Sequence, residues 1–231
     1  MPTQLLYLLR VKGIDTTIRE SIENAFDQSY DSDLGYGFSS VRPIESDTVR
    51  GTFIFSSVSS NKVFDTVSNS LRADTQIIFQ EAQFEFDLEN GIVAIRGGGN
   101  KLRKFINTIG TIAGNKISVD TVSVDIIKAV QFLQENCSVF ELTGLLIRNY
   151  KPNQYLTGRF AARVYSTPAA RDILTNYGAD VAEFTSTLEI EDEEIKIRMS
   201  QVGAVAISST ELGVRKGLDL IKEMALEKSH A

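Results

Sequence analysis

The chain of 231 residues holds one histidine, one cysteine, four prolines and no tryptophan, and each shortage closes a route to function. With His230 alone, in the tail Ser229-His230-Ala231, no Ser-His-Asp triad, Cys-His pair or His-rich metal site can be assembled. A histidine so placed is expected to be a frayed terminal residue. Cys137 cannot form an internal disulfide, and its place after Asn136 at a helix end suits a half-buried structural thiol better than a nucleophile. Basic charge is also short: 24 Lys and Arg against 30 Asp and Glu leave a net charge of −6. That balance disfavours a general polyanion binder and leaves room only for a local basic patch. No long apolar run is present either. Leu5 to Val11 is far too short to span a bilayer, and Arg10 and Lys12 close it off. Nothing at the N-terminus reads as a signal peptide. A soluble, cytoplasmic protein without membrane partner, cofactor or metal is expected.

What is present is an alternation of strand and helix patterns. QLLYLLRV (4–11) reads as a strand and TTIRESIENAF as a helix burying Ile18, Ile22, Ala25 and Phe26, with Thr17 and Glu20 at capping-box spacing. Strands are expected around 38–45 and 51–57, then a short amphipathic helix in NKVFDTVSNSL (61–71) carrying Val63, Phe64, Val67 and Leu71. QFEFDL and IVAIR form a hairpin about Glu89-Asn90-Gly91, and the helix from Lys101 has Asn100 as its natural cap. In the second half, ISVDTV, VFELTGLLIRNY, TGRFAARVY, EFTSTLEI, EIKIRM and GAVAIS read as strands. Helices are expected at 125–136, with Ile126, Ile127, Val130 and Leu133 inward, and from about Glu211 to Glu227. Another is expected at 168–177, opened by Thr167 as cap and Pro168 in the first turn.

Gly97-Gly98-Gly99 ends the IVAIR strand just before a helix, which is where a phosphate cradle would sit. The GxxxxGK[ST] spacing is missing, and Lys101 is not where a phosphate lysine belongs. Small residues at a strand-to-helix turn suffice, so the glycines read as a joint.

Internal repetition supports the same reading. A shift of 112 lays Gly91-Ile92-Val93-Ala94-Ile95 on Gly203-Ala204-Val205-Ala206-Ile207, Arg103-Lys104 on Arg215-Lys216 and Ile109 on Ile221. Shifts of 107 and 106 pair Gly51 with Gly158, Phe53 with Phe160, Asp65 with Asp172, and Ala73-Asp74 with Ala179-Asp180. The reading is a duplication into 1–113 and 114–231. The glycines then fall on Ser209, Thr210 and Glu211, where a carboxylate would repel phosphate.

Strand alternation separates two faces. Phe53, Phe55, Phe84, Phe86, Leu88, Val93 and Ile95 in the first copy, and Phe160, Ala162, Val164, Ile195, Ile197, Met199, Val205 and Ile207 in the second, form apolar sets for helices to cover. The fold class expected is α+β, an internally duplicated antiparallel sheet with helices on one face. The other face is left open. It carries Thr52, Ile54, Ser56, Glu85, Asp87, Ile92, Ala94 and Arg96 in the first copy. In the second it carries Arg159, Ala161, Arg163, Tyr165, Lys196, Arg198, Ala204, Ala206 and Ser208.

The stretches ENGIVAIRGGGNKLRKFINTI and VGAVAISSTELGVRKGLDLI, with LLIRNYKP (145–152), carry a resemblance to the repeat of the TATA-box-binding protein family. The resemblance implies a saddle whose concave sheet binds the DNA minor groove, with phenylalanine wedges kinking the duplex. The chain departs from that pattern in its extra segments at 61–71 and 168–177. It departs also in the core parity of Phe53, Phe55 and Phe160, and in the acidic Glu85 and Asp87 on the open face.

Charge along the chain is uneven. Between Thr143 and Arg171 stand Arg148, Lys151, Arg159, Arg163 and Arg171 without an acid, interleaved with Tyr150, Tyr155, Phe160 and Tyr165. Asp180 to Glu194 holds seven acids without a base. The run Glu191-Asp192-Glu193-Glu194 points to alternate strand faces and suits a hairpin tip better than a cation site. The expectation is a non-enzymatic binding protein, with DNA as ligand narrowly ahead of a protein partner or homo-oligomer. Its binding residues would be Arg159, Arg163, Lys196, Arg198, Arg148, Lys151 and Tyr165.

Overall fold

Apolar alternation gives way to helical spacing five times along the chain, and the computed structural model forms a helix at each change. It describes residues 3–45, 47–153, 155–165 and 167–227, without the side chains at 152, 153, 156, 167, 168, 171 and 227. His230, the expected Thr167–Pro168 cap and the Arg171 side chain therefore lie outside the described residues. The chain begins β1 (Thr3–Lys12), α1 (Thr16–Phe26), β2 (Tyr36–Pro43), β3 (Thr48–Asp65), β4 (Ser70–Asp87), β5 (Ile92–Arg96) and α2 (Asn100–Ile112). It continues β6 (Ser118–Thr121), α3 (Ile126–Asn136), β7 (Val139–Asn153), β8 (Leu156–Arg163) and α4 (Thr167–Tyr177). It ends β9 (Val181–Ile190), β10 (Glu193–Ser200), β11 (Ala204–Ser208) and α5 (Glu211–Glu227). The class is α+β, with eleven strands in a large antiparallel sheet and five helices among the described residues. No helix among them is long and apolar enough to cross a membrane. Two compact units divide the chain: Arg10–Val119, and Met1–Leu9 with Asp120–Ala231.

In the unit Arg10–Val119 the strand order β2-β3-β4-β5 follows the chain, each pair antiparallel. Alternation sends Phe53 and Phe55 of β3 and Phe84 and Phe86 of β4 to one face, where all four are fully buried. Phe26 of α1 and Phe105 of α2 close over them, with ring centroids 5.4 Å and 5.3 Å from Phe84. Gly51 is needed on that face, because a Cβ there would lie 2.7 Å from Val41 Cγ2 and 3.1 Å from the Phe84 ring. The caps differ from those expected. Asp15, not Thr17, caps α1 by accepting from the Ile18 N–H at 2.8 Å, and α2 starts from Gly99 with no side-chain cap rather than from Asn100. Two residues assigned to the open face, Ile92 and Ala94, are buried. They sit in β5, a five-residue strand that pairs with β4 and has every residue but Arg96 buried, so alternation does not leave one face of it open.

The largest departure falls on 61–71, which is not a helix. It is the far end of the β3–β4 hairpin, whose register runs unbroken from Thr48↔Asp87 to Asp65↔Ser70. Aromatic and β-branched residues on both arms make good cross-strand pairs, and these win over an i, i+3, i+4 coincidence. The reversal is local: Asp65 Oδ1 accepts from the Val67 N–H at 2.9 Å, and Asn69 takes a φ of 49°. Val63, Phe64, Val67 and Leu71, expected to face a core, are exposed.

In the other unit the order is β1-β11-β10-β9-β7-β8, and β9 and β10 are joined by a two-residue turn at Glu191 and Asp192 with φ of 47° and 66°. Ile195, Ile197, Met199, Val205 and Ile207 are buried on one face. There α5 lies so close that a Cβ on Gly217 would sit 3.3 Å from Ile195 and 3.4 Å from Ile207. Asp125 caps α3 through the N–H groups of Ile127 and Lys128, and α3 buries Ile126, Val130 and Leu133, whereas Ile127, expected inward, is exposed.

Candidate functional site

Burial of Ile195, Ile197 and Met199 turns Lys196 and Arg198 of β10 to the opposite face, and register extends that face across the sheet. Arg198 stands beside Thr185 of β9, Thr185 beside Gly144 of β7, and Gly144 beside Arg163 of β8. Three strand spacings separate Arg198 from Arg163, about 14 Å. Lys196, Thr187 and Glu141 make the next row. In β8, alternation puts Arg159 and Ala161 on the side of Arg163. Arg159, Arg163, Lys196 and Arg198 thus share one face, and all four are exposed. Its floor is small: Gly144, Ala161, Thr185 and Thr187, continued by Ala204, Ala206 and Ser208 of β11.

The same registers bring carboxylates to this face. Glu183 and Glu189 of β9 share the parity of Thr185 and Thr187, Glu194 that of Lys196, and Glu141 pairs with Thr187. Arg198 Nε lies 3.8 Å from Glu183 Oε1. Among the described residues Arg159, Arg163 and Lys196 make no ion pair. Sequence reasoning about basic and acidic stretches missed this interleaving, because β9 and β10 carry the acids back beside the bases. The signal was the parity of Glu183 and Glu189 against Lys196 and Arg198.

Three expected binding residues lie elsewhere or stay apart. Tyr165 follows the end of β8 and does not join the open face; it lines a cleft of about 340 Å³ with Ile127, Phe140, Leu142, Ala170 and Leu174. Arg148 and Lys151 are exposed where the β7–β8 register shifts between Ile147 and Asn153, so alternation does not align them with Arg163. The aromatics between the bases pack on one another. Tyr150 stacks on Phe160 at 4.7 Å and lies 5.3 Å from Tyr177.

The other motifs resolve into structure. At the glycine joint, Gly97 and Gly99 take φ of 92° and 59°, a region open to glycine and costly for other residues. Lys101 Nζ donates to the Glu81 carbonyl at 2.8 Å, tying the start of α2 to β4. Before α5, Thr210 Oγ1 accepts from the Gly213 N–H at 3.1 Å and donates to Glu193 Oε2 at 2.7 Å. Glu191 pairs with Lys216 at 2.9 Å, and hydrogen bonding to that ammonium holds its carboxyl below the ordinary value. Glu85, read as a repulsive acid on the open face of the first half, is buried and ion-paired with Arg50. Burial pushes the Cys137 thiol up, away from thiolate chemistry. Among the described residues no three His, Cys, Asp or Glu side chains gather in a way that could hold a metal ion.

In comparison with known proteins, no family model matches the chain and no curated protein matches it.

Proposed function

We propose that the chain is a non-catalytic binding protein that docks a protein partner on the open face of β8, β7, β9, β10 and β11. The observation that carries this reading is the interleaving of Glu141, Glu183, Glu189 and Glu194 with Arg159, Arg163, Lys196 and Arg198 over a floor of small side chains. A polyanion would meet repulsion beside every attraction there. A protein surface of matching mixed charge gains from both signs, and the small floor admits close approach. A second copy of the chain fits that description, and the reading places it in the cytoplasm. Its test is sedimentation at low salt over a concentration series. The mass should rise with concentration, fall back in Arg163→Glu, and recover in part when Glu189→Lys or Glu194→Lys is added. A mass unchanged by these reversals would remove the charged face from the account.

Duplex DNA is the second reading. It is favoured by the shared face of Arg159, Arg163, Lys196 and Arg198 and by the resemblance to the TATA-box-binding protein repeat. Duplication and a saddle belong to the proposal as well. In support, the shift of 112 lays β5 (Ile92–Arg96) on β11 (Ala204–Ser208) without remainder, and each is followed by a helix. The order β2-β3-β4-β5 also matches β7-β9-β10-β11, with β8 and α4 as additions. Under that correspondence β3 answers to β9, and the identities of Gly51 with Gly158 and Phe53 with Phe160 are coincidental.

A further inference from the structure

The hairpin of β3 and β4 outruns its sheet. β2 pairs with β3 as far as Phe55, and β5 pairs with β4 only from Phe84 onward. Between those points, residues 57–78 form a ribbon in which, among the described residues, the two strands pair with each other alone. An isolated two-stranded ribbon is marginally stable in water. Its two faces differ in composition. One carries Ser57–Ile78, Ser59–Gln76, Asn61–Asp74, Val63–Arg72 and Asp65–Ser70, which is mostly polar. The other carries Ser56–Phe79, Val58–Ile77, Ser60–Thr75, Lys62–Ala73 and Phe64–Leu71. On this second face Val58, Phe64, Leu71, Ile77 and Phe79 are 70%, 54%, 63%, 67% and 62% exposed.

We propose that this apolar face of the ribbon is a homodimer interface, covered by the same face of a second copy about a two-fold axis at the Ser60–Thr75 rung. Three observations select a second copy. The first is area. Five such side chains offer on the order of 100 Å² each, and with the intervening small rungs and the Lys62 stem the face reaches roughly 800 Å². That is what one partner buries in a standard interface of about 1,600 Å². The second is shape. The axis sets Phe64 against Ser56, Ile77 against Ala73, Leu71 against Phe79 and Val58 against the Lys62 stem, and the smallest rung meets itself. The third is charge. Lys62 is the only charged residue from Ser56–Phe79 to the Phe64–Leu71 rung. Its counterpart in the other copy stands two rungs away, about 14 Å, beyond the Debye length of roughly 8 Å in physiological salt. At that distance the two lysines repel one another little, and a single cation on the face makes it a poor site for a highly charged ligand. The proposal rests on residues 56–79 alone and does not depend on the charged face of β7 to β11.

Sedimentation equilibrium of the full chain in about 0.5 M salt tests this, because association through the charged face is screened there. The wild type should be a dimer that salt does not dissociate. Val58→Lys with Ile77→Lys should raise the dissociation constant by about 100-fold or more while the circular dichroism spectrum stays unchanged, since both side chains are exposed in the single chain; only the stabilisation contributed by association should be lost. In a Cys137→Ser background, Thr75→Cys on the axis should cross-link two copies through a short bis-maleimide, because face-packed sheets lie about 10 Å apart, and Gln76→Cys on the polar face should not. A monomer at every concentration in high salt overturns the proposal. So does a dimer that the paired lysines leave intact, and so does cross-linking through residue 76 in preference to 75. Loss of the low-salt association on Arg163→Glu with the high-salt dimer retained removes neither the ribbon interface nor the charged one.

Discussion

At Gly97 and Gly99 the backbone is held at positive φ, and the side chain's absence is what permits it. Gly97→Ala or Gly99→Ala should each cost about 1–2 kcal/mol in urea unfolding, through backbone strain, with no change in any ligand affinity. A loss of nucleotide binding in either variant would revive the phosphate cradle that Lys101, turned to the Glu81 carbonyl, argues against. Ser186 presents the opposite case. Its side chain is fully buried beside Leu142 and Ile197, and its Oγ has no hydrogen-bond partner among the described residues. Ser186→Ala removes an unpaired polar atom and should be neutral or stabilising by about 1 kcal/mol. A loss of 2 kcal/mol or more would mean that the hydroxyl is partnered. Glu191 adds a pH handle. Its carboxyl is held low by Lys216, so the pairing contributes above the ordinary carboxylate range and fades as pH falls through it. The exposed pair is screened by salt. Carboxyl NMR titration should find Glu191 below the ordinary glutamate value, and Lys216→Ala should raise it toward that value.

Among the elements, most strands and every helix of the structure are visible in apolar periodicity, because one face of each is buried against the Phe or Ile cores. Segment 61–71 was not. Its Val63, Phe64, Val67 and Leu71 match a helical face by spacing, but nothing buries them, and periodicity carries information only where a core enforces it. Asp65 and Asn69, a side-chain-stabilised reversal between β-branched and aromatic runs, were the local evidence for a hairpin. Replacing residues 58–77 with Asn-Gly should join Ser57 to Ile78 through a two-residue turn. At protein concentrations where the chain is monomeric, the unit Arg10–Val119 should keep its unfolding free energy within about 0.5 kcal/mol, since the excised side chains are exposed in the single chain. A large loss of stability would show that the ribbon packs on its own chain. The caps of α1 and α2 were misplaced by one or two positions for a different reason. Asp15, Thr17, Gly99 and Asn100 are all acceptable there, and only backbone geometry chooses among them.

For the molecule as a whole, composition narrowed the candidate site without choosing its ligand. One histidine and a half-buried cysteine with a raised pKa argue against the commonest catalytic constellations. The choice of ligand depended on which charges share a face, and that is a property of strand order. Arg159 and Arg163 are 33 to 39 residues from Lys196 and Arg198 in the sequence, and β7 and β9 bring both pairs together with four glutamates. The most direct test is a titration of labelled duplex and single-stranded DNA with the purified chain at about 50 and 200 mM salt. A protein-docking face with balanced charge predicts no measurable DNA affinity at either concentration. Binding at the lower salt that falls steeply at the higher, with a slope flattened by neutralising Arg159, Arg163, Lys196 and Arg198, would contradict that account and make the open face a nucleic-acid site.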